Sequence, residues 1–374
     1  MTSRISAVTM PRWGMTMTEG KVTRWLVPVG GQIAAGADLV EIETTKITNV
    51  LEAADGGTLR RTVVGEGGTA SVGAIIAVIA EPGAKESEID AFVASQLASG
   101  DDDGSESVSG PSARLLRAGE HTLNVLSMGQ GDKLPVLFIH GFGGDLNSWM
   151  FNQPVIAETR PTHALDLPGH GQSSPSQGKG SARALSDAVL ALMDALNLPR
   201  AHLVGHSMGG AIALLLAATK PDRIASVIGV APGGLGPELN RGFIDGFIAA
   251  DRRPAMTETL GLLFARPDAV SRAMVEEALR YKRQDGASDA LKAIAAANFT
   301  TDGQKSGLRE LLPAIQPPIS IVWGALDRII PASQAQGLPA KVAATVVEGA
   351  GHMPHMEKAA EVNRLILGHL EAND

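Results

Sequence analysis

Four residues in this chain have the type and setting to do chemistry. Ser207 lies in Gly205-His206-Ser207-Met208-Gly209-Gly210, a G-x-S-x-G turn between the apolar stretch His202-Leu203-Val204 and the apolar run 211–218. A serine at such a strand-to-helix turn is a candidate nucleophile. The glycines let its neighbours approach closely, and the following helix brings an N–H donor and a positive dipole end. A nucleophilic serine needs a base, an acid to orient that base, and donors for an oxyanion. His352, in Gly349-Ala350-Gly351-His352-Met353-Pro354, is the candidate base, and Asp327, in Gly324-Ala325-Leu326-Asp327, the candidate acid; each follows an apolar strand. His140-Gly141-Phe142-Gly143-Gly144 follows the apolar stretch 136–139, which makes the backbone N–H groups of Phe142 and Met208 the expected oxyanion pair. The chemistry would be acyl transfer through a serine ester. The fourth residue is Lys46, in a Thr-rich turn far from the other three in sequence.

Nine histidines are present, so the remaining candidates need places. His140 and His170 read as residues that hold loops, His355 as a helix-start residue, and His206, beside the serine, as one that could line the pocket. Asp166 and Asp194 fall on elements that would not meet the site.

Lys46 lies in Glu41-Ile42-Glu43-Thr44-Thr45-Lys46-Ile47-Thr48, between two apolar-alternating runs that read as a β-hairpin with the lysine at its exposed tip. A lone surface lysine ordinarily serves solubility. Here an internal repeat gives it a position. A shift of 37 residues superposes Gly20 on Gly57, Val22 on Leu59, Gly30-Gly31 on Gly67-Gly68, Gly36 on Gly73, Leu39 on Ile76 and Ile42 on Ile79. Repeated turn glycines and repeated core residues imply two similar halves, hence a flattened all-β barrel with quasi-two-fold symmetry. Lys46 follows the first half and Gly83 the second, so Lys46 and the termini are expected at opposite ends, a suitable place for a carrier.

The elements that must position Ser207 follow from residue 113 onward. Short, nearly all-apolar strands at 136–139, 163–165, 202–204, 225–230, 319–323 and 344–347 alternate with helical stretches such as 184–196 and 208–219. That alternation predicts a mostly parallel sheet covered on both faces. An insertion at about 233–313 has helical periodicity over 269–283 and 288–298 and should form a helical cap over Ser207. Residues 81–112 divide the two regions. They hold a short amphipathic segment, with Ile89, Phe92, Val93 and Leu97 on one face, followed by an acidic Gly/Ser tract. The tract reads as a flexible tether spanning about 20 Å, and the segment as a cap on the first domain or, alternatively, a docking helix.

Composition bounds the rest. At 374 residues the chain is long enough for two domains, and its net charge of −8 argues against nucleic acid or an anionic membrane as partner. No apolar run reaches the length of a membrane span and no signal-peptide core opens the chain, so the expected compartment is the cytoplasm. With no cysteine, thiolate nucleophiles, disulfides and zinc–thiolate sites are excluded.

Residues 2–80, with Met10-Pro11-Arg12-Trp13-Gly14-Met15 and Glu41-Ile42-Glu43-Thr44-Thr45-Lys46, resemble the lipoyl domains of 2-oxoacid and acetoin dehydrogenase complexes. The family's modified lysine maps onto Lys46. Thr45 departs from the aspartate usual before that lysine. A biotinyl lysine, which the family's relatives flank with methionines, and an unmodified lysine are the alternatives to lipoate. Residues 113–374 resemble an α/β-hydrolase, whose chain order of nucleophile, acid and base is that of Ser207, Asp327 and His352.

Together the two regions resemble the E2 components of acetoin dehydrogenase complexes. The 2-oxoacid dehydrogenase E2 motif H-x-x-x-D-G is missing. The resemblance implies acetyl transfer from S-acetyldihydrolipoyl-lysine to coenzyme A in acetoin catabolism, with lipoate covalent on Lys46 and coenzyme A as acceptor. It further implies a thiamine-diphosphate-dependent acetoin dehydrogenase E1, a dihydrolipoyl dehydrogenase E3 and lipoylation enzymes as partners, and a homo-oligomer. Two rival readings stay open: a thioesterase or carboxylesterase that its lipoyl unit merely localises, and a non-catalytic scaffold.

Overall fold

Turn glycines set the architecture of the first unit. The computed structural model describes residues 5–11, 17, 19–44, 48–81, 83–98, 112–175, 180–305 and 307–374, and the chain divides into two units that part at Gly110. The first contains β1 (Ile5–Thr9), β2 (Glu19–Trp25), β3 (Gln32–Ile33), β4 (Asp38–Glu43), β5 (Thr48–Glu52), β6 (Gly57–Thr62), β7 (Thr69–Ser71) and β8 (Ile75–Ala80). They form two four-stranded sheets, ordered β1-β8-β6-β3 and β5-β4-β2-β7, with every pairing antiparallel.

The expected quasi-two-fold is present in the hydrogen bonds. Gly30 N–H donates to the Leu59 carbonyl, and its counterpart Gly67 N–H to the Val22 carbonyl, both at 2.7 Å. Leu26 N–H donates to Leu39 as Val63 N–H does to Ile76. Gly30 and Gly67 have φ of 88° and 83°, and Gly36 and Gly73 have 79° and 85°, so these four are turn glycines in fact. Gly20 and Gly57 are not turns. They lie in β2 and β6, where a Cβ would come within 2.5 Å of Met10 Sδ and 2.8 Å of Ile79 Cγ2 respectively; the repeat keeps them for close approach to the core.

Helix α1 (Glu86–Ala98) is seated on this unit. Ile89 is buried with Ile75, Val78 and Ala80, and Phe92 and Val93 pack against the same cluster. Arg60 and Arg61 bind Glu86, and Arg61 also binds Asp90. The amphipathic segment therefore caps the β-sandwich. The acidic tract 99–111 lies outside the described residues.

The second unit holds β9 (Arg114–Ala118), β10 (His121–Met128), β11 (Val136–Ile139), β12 (Thr162–Leu165), β13 (Ala201–His206), β14 (Ile224–Val230), β15 (Ile319–Gly324) and β16 (Val342–Val347). They make one eight-stranded sheet in the order β16-β15-β14-β13-β11-β12-β10-β9. Strands from β12 across to β16 are parallel, and β10 joins β12 and β9 antiparallel. Strands β9 and β10 depart from the all-apolar pattern of the others: β9 carries the exposed arginines Arg114 and Arg117, and β10 mixes His121, Thr122, Asn124 and Ser127 with its apolar residues.

The helices are α2 (Gln153–Ala157), α3 (Ala182–Ala195), α4 (Met208–Thr219), α5 (Arg241–Ala249), α6 (Arg253–Gly261), α7 (Arg272–Lys282), α8 (Ala287–Asn298), α9 (Leu308–Leu311), α10 (Pro354–Glu357) and α11 (Ala359–Glu371). Five of them, α5 to α9, occupy the insertion between β14 and β15. Val204, Leu203 and Val227 of the central strands are wholly buried, as are Leu192, Ile212 and Ile366 on the helices, so both faces of the sheet are covered and the strands carry no polar alternation.

Candidate active site

Ser207 is held in a strained turn at the carboxyl end of the central strand β13. Its φ is 52° and ψ −115°, outside the regions an L-residue readily occupies. The strain is held by packing and hydrogen bonds on every side. Ser207 N–H donates to the Val230 carbonyl at 2.9 Å, and the Ser207 carbonyl accepts from Gly233 and Ala211. A Cβ on Gly205 would lie 2.3 Å from Gly209 O, and one on Gly209 would lie 2.2 Å from Ile139 O. Both glycines of the motif are therefore required by close backbone approach, in keeping with a turn that projects its serine from the sheet edge.

Asp327 and His352 meet. His352 Nδ1 donates to Asp327 Oδ2 at 2.7 Å, and both side chains are almost wholly buried. Asp327 is itself fixed: Oδ1 accepts from Ile329 and Ile330 N–H, and Oδ2 also from Trp323 Nε1 at 3.0 Å. A carboxylate with this many donors is fixed in place, and by accepting from Nδ1 it holds His352 in the tautomer whose Nε2 can accept a proton.

The loop after β11 is locked by two histidines. Leu167 N–H donates to His140 Nε2 at 2.9 Å, which places the His140 proton on Nδ1, bonded to the Gly141 carbonyl at 2.7 Å. Gly143 N–H donates to His170 Nε2 at 3.1 Å. Burial pushes His140 down to about 4 and His170 well below the usual imidazole range, so both are neutral acceptors at neutral pH. A Cβ on Gly141 would lie 3.0 Å from Ser207 Cβ, so this loop runs directly against the serine. Among the described residues, no hydrogen bond occupies the N–H of Phe142 or of Met208, the first residue of α4. Asp166, after β12, braces the same loop by accepting from Leu146, Gln172 and Asn124.

A cavity of about 460 Å³ opens from Ser207. Its walls are mostly apolar, with Phe142 and Met208 at the serine end and Leu239, Phe243, Phe299 and Leu308 from the insertion. The insertion thus roofs the serine, as its helical periodicity had suggested.

His206 does not line this cavity. It is buried and turned away, with Nε2 donating to the His352 carbonyl at 2.9 Å and its ring 4.7 Å from both His352 and His355. His355 is buried in α10 against Trp149. A second brace was not legible in sequence: Glu357 accepts from Gly351 N–H and Ala265 N–H, both at 2.7 Å, tying the His352 loop to the insertion. Leu263 adds a third tie, its carbonyl accepting from His352 N–H at 2.8 Å.

In the first unit, β4 and β5 pair with Glu43 opposite Thr48, which leaves residues 44–47 as the connection. Thr45, Lys46 and Ile47 lie outside the described residues. Strand β4, just before them, contributes Leu39, Val40 and Ile42 to a buried core with Val22 and Leu59.

Two family models match: "Biotin-requiring enzyme" over residues 6–79 and "alpha/beta hydrolase fold" over residues 135–359. The chain is 42% identical over 372 residues to the dihydrolipoyllysine-residue acetyltransferase component of the acetoin cleaving system of Pseudomonas putida, covering 98% of this chain and 99% of that protein. The chain belongs to this acetyltransferase family. The corresponding component from Cupriavidus necator is 40% identical over 375 residues, covering 98% of this chain and 97% of that one.

As a member of the family it is an enzyme of the dihydrolipoyllysine-residue acetyltransferase type, with a biotin/lipoyl domain ahead of an α/β-hydrolase domain. Among solved structures, a meta-cleavage product hydrolase from Pseudomonas fluorescens aligns with a TM-score of 0.63 at 20% identity, covering 70% of this chain and 98% of that one. That likeness concerns the fold of the second unit. Among the described residues no helix is long and apolar enough to cross a membrane.

Proposed function

We propose that the second unit moves an acetyl group from a dihydrolipoyl thioester to coenzyme A through an acetyl-Ser207 ester. The observation that carries this reading is the 2.7 Å bond from His352 Nδ1 to Asp327 Oδ2, together with the strained turn that holds Ser207. Bound to Lys46, lipoate would supply a dithiol able to carry the acetyl group as a thioester. The chain's own residues do the rest.

His352 Nε2 takes the Ser207 hydroxyl proton as Oγ attacks the thioester carbonyl. The oxygen of the tetrahedral adduct accepts from Phe142 and Met208 N–H, which no other bond occupies among the described residues. The carbon–sulfur bond breaks, and His352 returns its proton to the departing thiolate. The acceptor thiol then gives its proton to His352 and attacks the serine ester. A new carbon–sulfur bond forms, the carbon–oxygen bond breaks, and the proton goes back to Ser207 Oγ. Asp327 keeps the imidazole oriented and offsets its transient charge. The apolar walls of the cavity favour a thiol over water as acceptor.

The family supports association with the other components of an acetoin cleaving system. An E1 that loads the carrier, an E3 that reoxidises it, and a homo-oligomeric core complete the proposal, with lipoate rather than biotin as the group on Lys46. The test is product analysis: S-acetyldihydrolipoamide and coenzyme A should give acetyl-CoA with little free acetate. Acetate as the main product, unaffected by added thiol, would make the domain a thioesterase.

A further inference from the structure

We infer that Arg183 and Lys305 form a phosphate-binding rim at the mouth of the Ser207 cavity, selecting an acceptor thiol that carries phosphate groups. The inference rests on the reading above that a thiol enters this cavity. Both residues line the cavity whose floor holds Ser207, and both are exposed.

The two come from distant parts of the chain and are brought together by Asn298, at the end of α8. Asn298 Oδ1 accepts from Ala182 N–H at 2.8 Å, beside Arg183, and its carbonyl accepts from Lys305 N–H at 3.0 Å. Its Nδ2 donates to the Gly180 carbonyl at 2.6 Å. One half-buried residue thus ties the backbone beside both cations, through its side-chain amide on the Arg183 side and its main-chain carbonyl on the Lys305 side, and Lys305 Nζ is further held by the Ala297 carbonyl.

Neither charge is answered. Arg223, Arg241, Arg253 and Arg280 each have a carboxylate partner, whereas among the described residues none lies within ion-pair distance of Arg183 or Lys305. Arg183 also stands in the first turn of α3, where a cation opposes the helix dipole. The nearby N–H groups are not a rival explanation, since Ala182 and Ala184 already donate to Asn298 and Ser181. Two cations without a carboxylate partner among the described residues, both lining an apolar cavity in a chain of net charge −8, fit an anionic ligand whose uncharged end goes inward. A pantetheine thiol bearing phosphates has that form.

The acidic hairpin of the first unit is the other conceivable anion. It is less suited, because Glu41 and Glu43 already face Arg24 at 3.2 Å and Lys21 at 3.9 Å.

The test uses the full-length lipoylated protein with free S-acetyldihydrolipoamide as donor, so that domain docking plays no part, and compares coenzyme A with pantetheine as acceptors. In R183Q/K305Q the preference for coenzyme A over pantetheine in kcat/KM should fall about 10–100-fold, with Arg183→Lys retaining most of it. An unchanged preference overturns the inference, as does a loss seen only when the donor is the acetylated lipoyl domain. Binding of coenzyme A to the Ser207→Ala protein, read by calorimetry, separates this from the transfer reading. Binding that weakens with both substitutions and with added salt supports the rim even if wild-type enzyme releases only acetate; binding indifferent to both refutes it.

Discussion

The two units place their chemistry in opposite ways. The first brackets its candidate, Lys46, by local pairing alone: β4 and β5 are hydrogen-bonded neighbours, with Glu43 opposite Thr48 on either side of it in sequence. The second builds Ser207 from long-range contacts. It is braced by the loop after β11 at Gly141, by Val230 of β14 and by Gly233 of the insertion, and the serine backbone is strained while the Asp327 and His352 side chains are buried. A carrier needs reach, and its cofactor brings the reactive atoms. A serine nucleophile needs donors, base and acid held to within fractions of an ångström before substrate arrives. The first site should therefore tolerate change that the second does not.

Removal of each residue gives the largest contrast. Ser207→Ala should lower acetyl transfer from free S-acetyldihydrolipoamide by about 10⁴-fold or more, measured as acetyl-CoA formed, while intact mass still shows the group on Lys46. Lys46→Arg should abolish turnover in the assembled complex and leave transfer from the free donor near wild type. If Lys46→Arg also removed the free-donor reaction, the two sites would not be separable in this way.

Next in size is Asp327→Asn, expected to cost about 10³–10⁴ in kcat because the amide no longer holds His352 in the required tautomer. His206→Phe should cost less, about tenfold, since His206 touches His352 through its carbonyl and by ring packing and makes no bond to the ring nitrogens. A shifted pH profile of kcat would mark that effect as one on His352 rather than on folding.

Much of this was legible in the sequence, and the division follows the same contrast. The glycine and apolar repeat announced two similar halves of a flattened barrel, because repeated turn residues such as Gly30 and Gly67 answer a local demand for positive φ. The candidates Ser207, Asp327 and His352 could be picked out because each follows a strand in a recognisable setting, and the fold brings Asp327 and His352 together. What supports them could not. Glu357 touches Gly351 and Ala265, and Asn298 touches Ala182; these ties join segments whose proximity only the fold creates. His206 misled for a related reason. Adjacency to Ser207 in sequence suggested the pocket, but along a strand consecutive side chains face opposite sides.

Acid should separate the units further. Burial pushes His140 down to about 4 and His355 to about 3. These folded values lie below the unfolded imidazole value near 6.5, so their neutral forms stabilise the fold above about pH 6.5, and that contribution is lost as pH falls. By pH 5 each would forfeit about 2 kcal/mol. Asp145, pushed up to about 6 by burial, offsets part of this by taking up a proton in the folded state. Calorimetric scans should show the second unit's transition moving down between pH 6.5 and pH 5 while the first unit's hardly moves. Equal shifts would contradict the assignment.

The smallest expected effect tests the symmetry of the first unit. Gly30 and Gly67 have positive φ and open space around a would-be Cβ, so Gly30→Ala and Gly67→Ala should each cost about 1–2 kcal/mol, and nearly the same amount. A large disparity in the two melting temperatures would show that the halves are not equivalent.

The most direct test of the account is where the acetyl group rests between donor and acceptor. Protein mixed with S-acetyldihydrolipoamide in the absence of acceptor, quenched in acid and digested, should carry one acetyl group on the peptide containing Ser207, and coenzyme A added before the quench should discharge it as acetyl-CoA. A Ser207 peptide that stays unmodified while acetyl-CoA forms at the full rate would contradict it.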